Sequence, residues 1–307
     1  MKVFINNAKE DWIVDRFIYE WNRYNFKQKK QPFIGKHIIW LIAPWTWKKV
    51  PVRSLKKNKV LCTIHHIDEE KFDNHQLEEF TYRDKYVDHY HVISDKTLQQ
   101  VRKLTSKPIT TIPFWVNQNL WFQIKDKDTL YKKYNLNKSN YFVGSFQRDT
   151  EGHDLISPKL SKGPDRLIEI FKHLNEKEKN LNVVLAGKRR NYIIEQLNKA
   201  KIPYHYFEMA SFSEINELYN LLNLYIVSSR VEGGPAAIME CGLNKTPLIS
   251  TDVGIASEVL DRMSIFDMNN FHKAKPNPDY AYKSVQKYKI PHGFQKFNNL
   301  LEDINEN

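Results

Sequence analysis

Leu224-Tyr225-Ile226-Val227-Ser228-Ser229-Arg230-Val231-Glu232-Gly233-Gly234-Pro235-Ala236-Ala237-Ile238-Met239-Glu240 is the stretch that decides the fold. Leu224–Ser228 predicts a strand. The chain then turns on two glycines and enters a helix, with Pro235 suited to the first helical position. A helix start at the C-terminal edge of a strand offers backbone N–H groups to an anion such as phosphate. Glu232 and Glu240 stand on either side of that cradle, and carboxylates accept hydrogen bonds from hydroxyls. Phosphate between two hydroxyl acceptors suits a sugar nucleotide. A plain βα corner, in which Gly-Gly only makes the turn, uses the same residue types. The surrounding pattern separates the two.

Working outward, short apolar runs alternate with helical patterns. The first part predicts strands at Lys2–Ile5, His37–Ala43, Lys59–His65, Tyr90–Ile93 and Thr110–Phe114. Between the first two, Val14, Phe17, Ile18 and Trp21 mark one face of a helix over Asp11–Tyr24. The second part predicts strands at Tyr141–Ser145, Asn182–Ala186, Leu224–Ser228 and Pro247–Ser250, with helices starting at Pro164 and Ser211. Ser211-Phe212-Ser213-Glu214 is a capping box. Strand–helix alternation implies parallel sheets with crossover helices. The pattern restarts after Phe114, so two Rossmann-like α/β domains are expected, 1–117 and 118–307. The polar segment 117–138 forms the join, and the last helix, over 293–304, is able to pack back on the first domain.

The 307 residues are 41% hydrophobic and 13% aromatic, enough for two cores, which argues against wholesale disorder. No apolar run approaches the ~20 residues of a membrane span. The N-terminus reads as a first strand without a signal-peptide core. Cys62 and Cys241 sit in apolar contexts and read as buried thiols, so a cytoplasmic location is expected. Charge is uneven. Residues 1–60 carry 14 Lys+Arg against 4 Asp+Glu, whereas the remainder carries 33 against 32. Trp12, Trp21, Trp40, Trp45 and Trp47 fall in the same basic segment. Two readings fit it: an anionic membrane surface, or a solvated basic face over core tryptophans. Nucleic acid is not expected, because neither zinc-finger spacing nor an RNA-binding aromatic signature is present.

At this point the chain resembles a family. Tyr141-Phe142-Val143-Gly144-Ser145-Phe146-Gln147-Arg148 is similar to a strand ending in arginine in the retaining, GT4-like glycosyltransferases of the GT-B fold, the group 1 family. Lys162-Gly163, Asn182-Val183-Val184-Leu185-Ala186-Gly187, Glu232 to Glu240, and Thr251-Asp252-Val253-Gly254 follow in the family's order. More weakly, Thr63-Ile64-His65 and Ile112-Pro113-Phe114-Trp115-Val116-Asn117 resemble landmarks of its first domain. The resemblance implies two domains facing a cleft and transfer of a sugar from a nucleotide-sugar donor, with retention, to a glycan or lipid-linked acceptor. It implies that Arg148 and Lys162 contact the diphosphate, with Gly233, Gly234, Pro235 and Ala236 assisting. Glu240 holds the ribose, while Glu232 and His65 meet the transferred sugar. It implies no metal and no other cofactor. The alternative is a non-catalytic sugar- or nucleotide-binding protein on the same fold.

The chemistry is intelligible without the name. A departing nucleoside diphosphate gains charge, and fixed cations aimed at it lower the barrier. Two departures stand out. Asn6-Asn7-Ala8-Lys9 replaces the family's Gly-Gly loop, and the thirteen-residue insert 149–161 separates Arg148 from Lys162. The charged insert is placed to cap the donor or contact the acceptor. Gly187-Lys188-Arg189-Arg190 is basic and faces phosphate or only solvent. His65-His66-Ile67-Asp68 with His75, and Asp126-Lys127-Asp128, are the metal-like patterns. The second precedes a helix, where an Asp is expected as a cap.

Overall fold

The computed structural model describes residues 2–10, 13–25 and 38–306. It divides into two compact units, Met1–Trp115 with Ile290–Asn307, and Val116–Lys289. The last eighteen residues therefore cluster with the first unit.

In the first unit, β1 (Val3–Ile5), β2 (Ile38–Leu41), β3 (Lys59–Ile64), β4 (His89–Val92) and β5 (Ile109–Thr111) lie side by side in chain order, all parallel. The helices are α1 (Ile13–Tyr24), α2 (Val52–Lys57), α3 (Asn74–Asp84) and α4 (Asp95–Arg102). Every residue of β2 is buried. That is why Ile38-Ile39-Trp40-Leu41 is a continuous apolar run rather than an alternating one. His37 and Trp12 lie outside the described residues.

The second unit holds β6 (Tyr141–Ser145), β7 (Leu181–Ala186), β8 (Tyr204–Phe207), β9 (Leu224–Val227), β10 (Leu248–Thr251) and β11 (Ile265–Phe266). Their order is β11-β10-β9-β6-β7-β8, again all parallel. The helices are α5 (Lys127–Lys133), α6 (Pro164–Lys177), α7 (Asn191–Ala200), α8 (Phe212–Leu221), α9 (Ala236–Asn244), α10 (Ala256–Val259) and α11 (Pro278–Val285). The chain winds outward from β6 in one direction, then restarts on the other side with β9. The gap between β6 and β9 is thus a topological switch point, the place where open α/β sheets bind ligands at their strand ends.

β8 and β11 are absent from the sequence expectation. β8 is an edge strand whose four residues are all half-buried, so it carries no apolar alternation. β11 is two residues long. Pro235 is the N-cap of α9 rather than its first residue, because its ψ of 114° is still extended.

α12 (Gln295–Glu306) completes the first unit. Its Phe297 is fully buried and stacks on Trp40 at 5.3 Å. Phe294, just before it, meets Trp21 and Trp115 at 5.4 and 4.5 Å. Trp115 also donates to Glu20 at 2.8 Å. Trp21, Trp40 and Trp47 are core residues, 2%, 0% and 3% exposed. Of the described tryptophans in the basic segment only Trp45 reaches solvent, at 51%. The described tryptophans of the segment other than Trp45 therefore pack as core residues. No helix among the described residues is long and apolar enough to cross a membrane.

Candidate active site

β6 and β9 deliver their C-terminal loops to the two sides of the switch point. From β6 come Gln147 and Arg148. From β9 come Ser228, Ser229 and Glu232. Lys162 ends a short 3-10 turn, Leu160–Lys162, that runs into α6. Its ammonium donates to the Glu232 carboxylate, with the two side chains 22% and 12% exposed. The expected phosphate ligand and the expected sugar ligand are thus bonded to each other.

The backbone explains why glycine follows Lys162. Gly163 has φ +62°, and a Cβ there would fall 2.0 Å from the Ser228 carbonyl oxygen. Only glycine lets the Lys162 turn press this closely on the end of β9. The Ser228 hydroxyl then donates to the Gly163 carbonyl at 2.9 Å. The N–H groups of Arg230 and Val231 both reach the Ser161 carbonyl, at 2.8 and 3.1 Å. Arg230 closes the clasp with a fork on Asp165, at 2.7 and 2.6 Å. Gly254, with φ +54°, does for the Glu232-Gly233 turn what Gly163 does for Lys162: its Cβ would lie 2.2 Å from the Gly233 oxygen.

Gln147 and Ser229 take positions in the site that the sequence did not single out. Gln147 donates to the Lys162 carbonyl at 2.8 Å and accepts from the Ser229 hydroxyl at 3.2 Å. Ser229 also lies 3.3 Å from Glu232 Oε1. The available signal was positional, since both side chains sit just past the ends of the two strands that flank the switch point. Arg148 is held by Nε on the Thr150 carbonyl at 2.7 Å. Burial, more than the nearby Arg189, lowers its pKa from the ordinary arginine value.

Glu240 is buried in α9, 5% exposed, and accepts from the Tyr219 hydroxyl at 2.9 Å. Burial and then the Glu240 charge hold the Tyr219 phenol protonated, well above its usual range. Gly233 and Pro235 are buried; Gly234 and Ala236 are half-buried at the mouth of α9.

The basic turn after β7 is not solvated as a whole. Arg190 is fully buried on Asp149, Nε to Oδ2 2.9 Å. Burial raises the Asp149 pKa to about 6 against the pull of Arg190 and of the Tyr192 and Ile193 N–H groups. Arg189 donates to the Gly152 carbonyl of the insert at 3.0 Å. The insert itself is a hairpin, with Thr150 bridged to Pro158.

In the first unit His65 follows β3. Its Nε2 lies 2.8 Å from the Ile42 carbonyl and its ring stacks on Phe114 at 5.8 Å. Burial lowers its pKa to about 4, so near neutral pH the ring is uncharged. A carbonyl only accepts, so Nε2 carries the proton and Nδ1 is the acceptor. A ring hydrogen bond donated to substrate from Nε2 is thereby ruled out in this arrangement. Asp126 caps α5, accepting from Thr129 N at 3.1 Å and Oγ1 at 2.6 Å. Among the described residues no group of three His, Cys, Asp or Glu is placed to hold a metal ion.

Residues 157–289 match the model of glycosyl transferases group 1. Lys162, Glu232 and Glu240 fall inside this range. The O-antigen chain mannosyltransferase RfbU of Salmonella typhimurium is 20% identical over 286 residues, which is 86% of this chain and 74% of that protein. Among solved structures, Anabaena Alr3699/HepE in complex with UDP and glucose superposes with a TM-score of 0.75 at 12% identity, covering 98% of this chain and 99% of that one. A glycosyltransferase from Rickettsia africae superposes with a TM-score of 0.66 at 16% identity, covering 98% and 84%. The chain has the GT-B fold seen in these structures, and its residues 157–289 match the model of the group 1 glycosyltransferases.

Proposed function

We propose that this protein is a metal-independent retaining glycosyltransferase of the GT4-like group, moving a sugar from a nucleoside diphosphate to a glycan or glycolipid acceptor of a cell envelope. The observation that carries the proposal is the Lys162–Glu232 pair at the β6/β9 switch point, with Arg148 on the loop after β6 and Glu240 on α9, the helix that follows β9. Donor binding replaces the Lys162–Glu232 contact. The diphosphate takes Lys162 and Arg148, the sugar hydroxyls take Glu232, and the ribose hydroxyls take Glu240. Gly233, Gly234, Pro235 and Ala236 supply the turn at which the phosphates rest. As the glycosidic bond breaks, negative charge grows on the leaving phosphate, where the two cations stabilise it most. In a retaining reaction on one face, that phosphate also takes the acceptor proton, so no carboxylate base is required. His65 contributes as a neutral group, through Nδ1 or its backbone carbonyl.

The UDP and glucose of the Anabaena protein make uridine diphosphate sugars the first donors to test. The O-antigen role of the Salmonella relative motivates the envelope acceptor. The test is a thermal-shift screen of nucleotide sugars with and without EDTA, on wild type and Glu240→Ala, followed by product analysis. A ligand that binds only the native state raises the midpoint. The expected result is a shift with one donor that survives EDTA, is lost in Glu240→Ala, and accompanies α-linked product from an α-linked donor. Donor binding without turnover over a broad acceptor panel would instead favour a non-catalytic binding protein.

A further inference from the structure

The insert 149–161 brings to the donor site a side chain to which nothing above gives a role. The hairpin closes by two backbone bonds, Glu151 N to Ser157 O at 3.0 Å and Lys159 N to Asp149 O at 2.8 Å. Lys162 N then reaches the Lys159 carbonyl at 2.8 Å. Lys159 is thereby folded back between Asp149, the neighbour of Arg148, and Lys162. The base of the hairpin is fixed from beneath by the fully buried Asp149–Arg190 pair and from the side by Arg189 on Gly152. The tip, Gly152–Ile156, is exposed, but Lys159 is half-buried.

We propose that Lys159 is a third phosphate-binding cation of the donor site, delivered by the insert. The proposal rests on the diphosphate-binding site assigned above and names a residue that the family motif does not supply. Three observations support it. Lys159 is tied by backbone bonds to Asp149, the residue after Arg148, and to Lys162. Its pKa is lowered by burial first and then by the positive charges of Lys162 and Arg148, so it stands within electrostatic reach of both. No ion pair holds its ammonium among the described residues, and Glu232, one of the two carboxylates in reach, is bonded to Lys162. A half-buried cation set beside two others raises the energy of the ligand-free site, and a dianionic or trianionic phosphate group relieves it. A sugar nucleotide carries about two negative charges on its diphosphate and its leaving group about three. The third cation therefore matches the charge that appears on bond cleavage.

Inorganic pyrophosphate is the probe, because it needs no knowledge of the base or the sugar. Calorimetry would compare wild type with Arg148→Ala, Lys159→Gln, Lys159→Arg and, as an exposed control on the turn after β7, Lys188→Gln. The ligand-free melting midpoints confirm that each variant is folded. The expected result is near-complete loss of binding in Arg148→Ala, a roughly tenfold loss in Lys159→Gln, substantial recovery in Lys159→Arg, and no change in Lys188→Gln. Loss in Arg148→Ala with wild-type binding in Lys159→Gln overturns the role of Lys159 and leaves the diphosphate site standing. Equal loss in Lys159→Gln and Lys188→Gln overturns it too, as a general charge effect. Wild-type binding in every variant overturns both the role and the site.

Discussion

His91 is the best place to test the packing of the first unit. It is fully buried in β4, and its ring takes part in a chain of hydrogen bonds whose directions are forced. Nε2 lies 2.7 Å from the Ile112 carbonyl and so must donate. Neutral imidazole then has only an acceptor left at Nδ1, 2.9 Å from the Thr63 hydroxyl, which donates to it. The Thr63 oxygen in turn accepts from Trp40 Nε1 at 2.8 Å. A second proton on His91 would reverse the Thr63 bond and leave the hydroxyl hydrogen without this acceptor. Burial lowers the His91 pKa to about 3, against about 6.5 in an unfolded chain. Phe297 and Phe114 meet the ring at 4.9 and 5.4 Å, and cation–π attraction to an imidazolium is worth about 0.5–2 kcal/mol. That is less than the cost of burying the charge, so the neutral form wins. The sign follows: below about pH 6.5 the unfolded chain takes up a proton that the folded chain refuses, so stability falls as pH falls towards the folded value. At pH 5 the loss from His91 is about 2 kcal/mol. Urea unfolding followed by indole fluorescence reports it, since Trp21, Trp40, Trp47 and Trp115 are buried in this unit. His91→Gln offers a donor and an acceptor but no titrating group. The stability gap between wild type and this variant should narrow by about 2 kcal/mol between pH 7 and pH 5, with carboxylate titrations cancelling in the difference. A gap that stays constant would mean that His91 binds its proton equally in both states, and the forced hydrogen-bond directions would be wrong.

Two further outcomes follow from the second unit. Gly254→Ala sets a methyl group against the Gly233 carbonyl at a left-handed φ, so it should destabilise the fold by about 1 kcal/mol or more and weaken donor binding at least tenfold. An alanine variant with wild-type donor affinity would separate Gly254 from the Glu232 loop. Asp149→Asn removes the one carboxylate paired with the fully buried Arg190 among the described residues and should cost about 3–5 kcal/mol in urea unfolding; a loss below 1 kcal/mol would mean that Arg190 finds other partners.

What was legible in the sequence divides along a physical line. Features set by residues close in the chain could be read directly: the α1 stripe Val14-Phe17-Ile18-Trp21, the Ser211–Glu214 capping box, the Asp126 cap, and the strand–glycine–helix run from Leu224 to Glu240. The positions of Arg148 and Lys162 came from resemblance and those of Glu232 and Glu240 from the local run, but topology gives all four a reason. The reversal of strand order between β6 and β9 brings the loop after Ser145 beside the loop after Val227. Contacts that depend on that reversal were not legible. Gln147 with Ser229 and Lys162 with Glu232 join residues about 70 to 82 positions apart, and no local period marks either pair. Arg190 shows the same limit from the other side. In the sequence it closes a basic run that faces phosphate or solvent, yet Asp149, supplied by the loop after β6, draws it fully inside. The tryptophans of the basic segment were ambiguous for a related reason. An indole beside lysines suits a headgroup layer or a core, and only the arrival of Phe294 and Phe297 from the far end of the chain decides that Trp21 and Trp40 are core. The insert at 149–161 is the sharpest case. Its charge marks it as exposed, which is true of the tip. Its one half-buried lysine is placed by backbone bonds at the hairpin base, and those depend on where Asp149 and Lys162 already stand. A loop that interrupts a motif can therefore add to the site the motif describes.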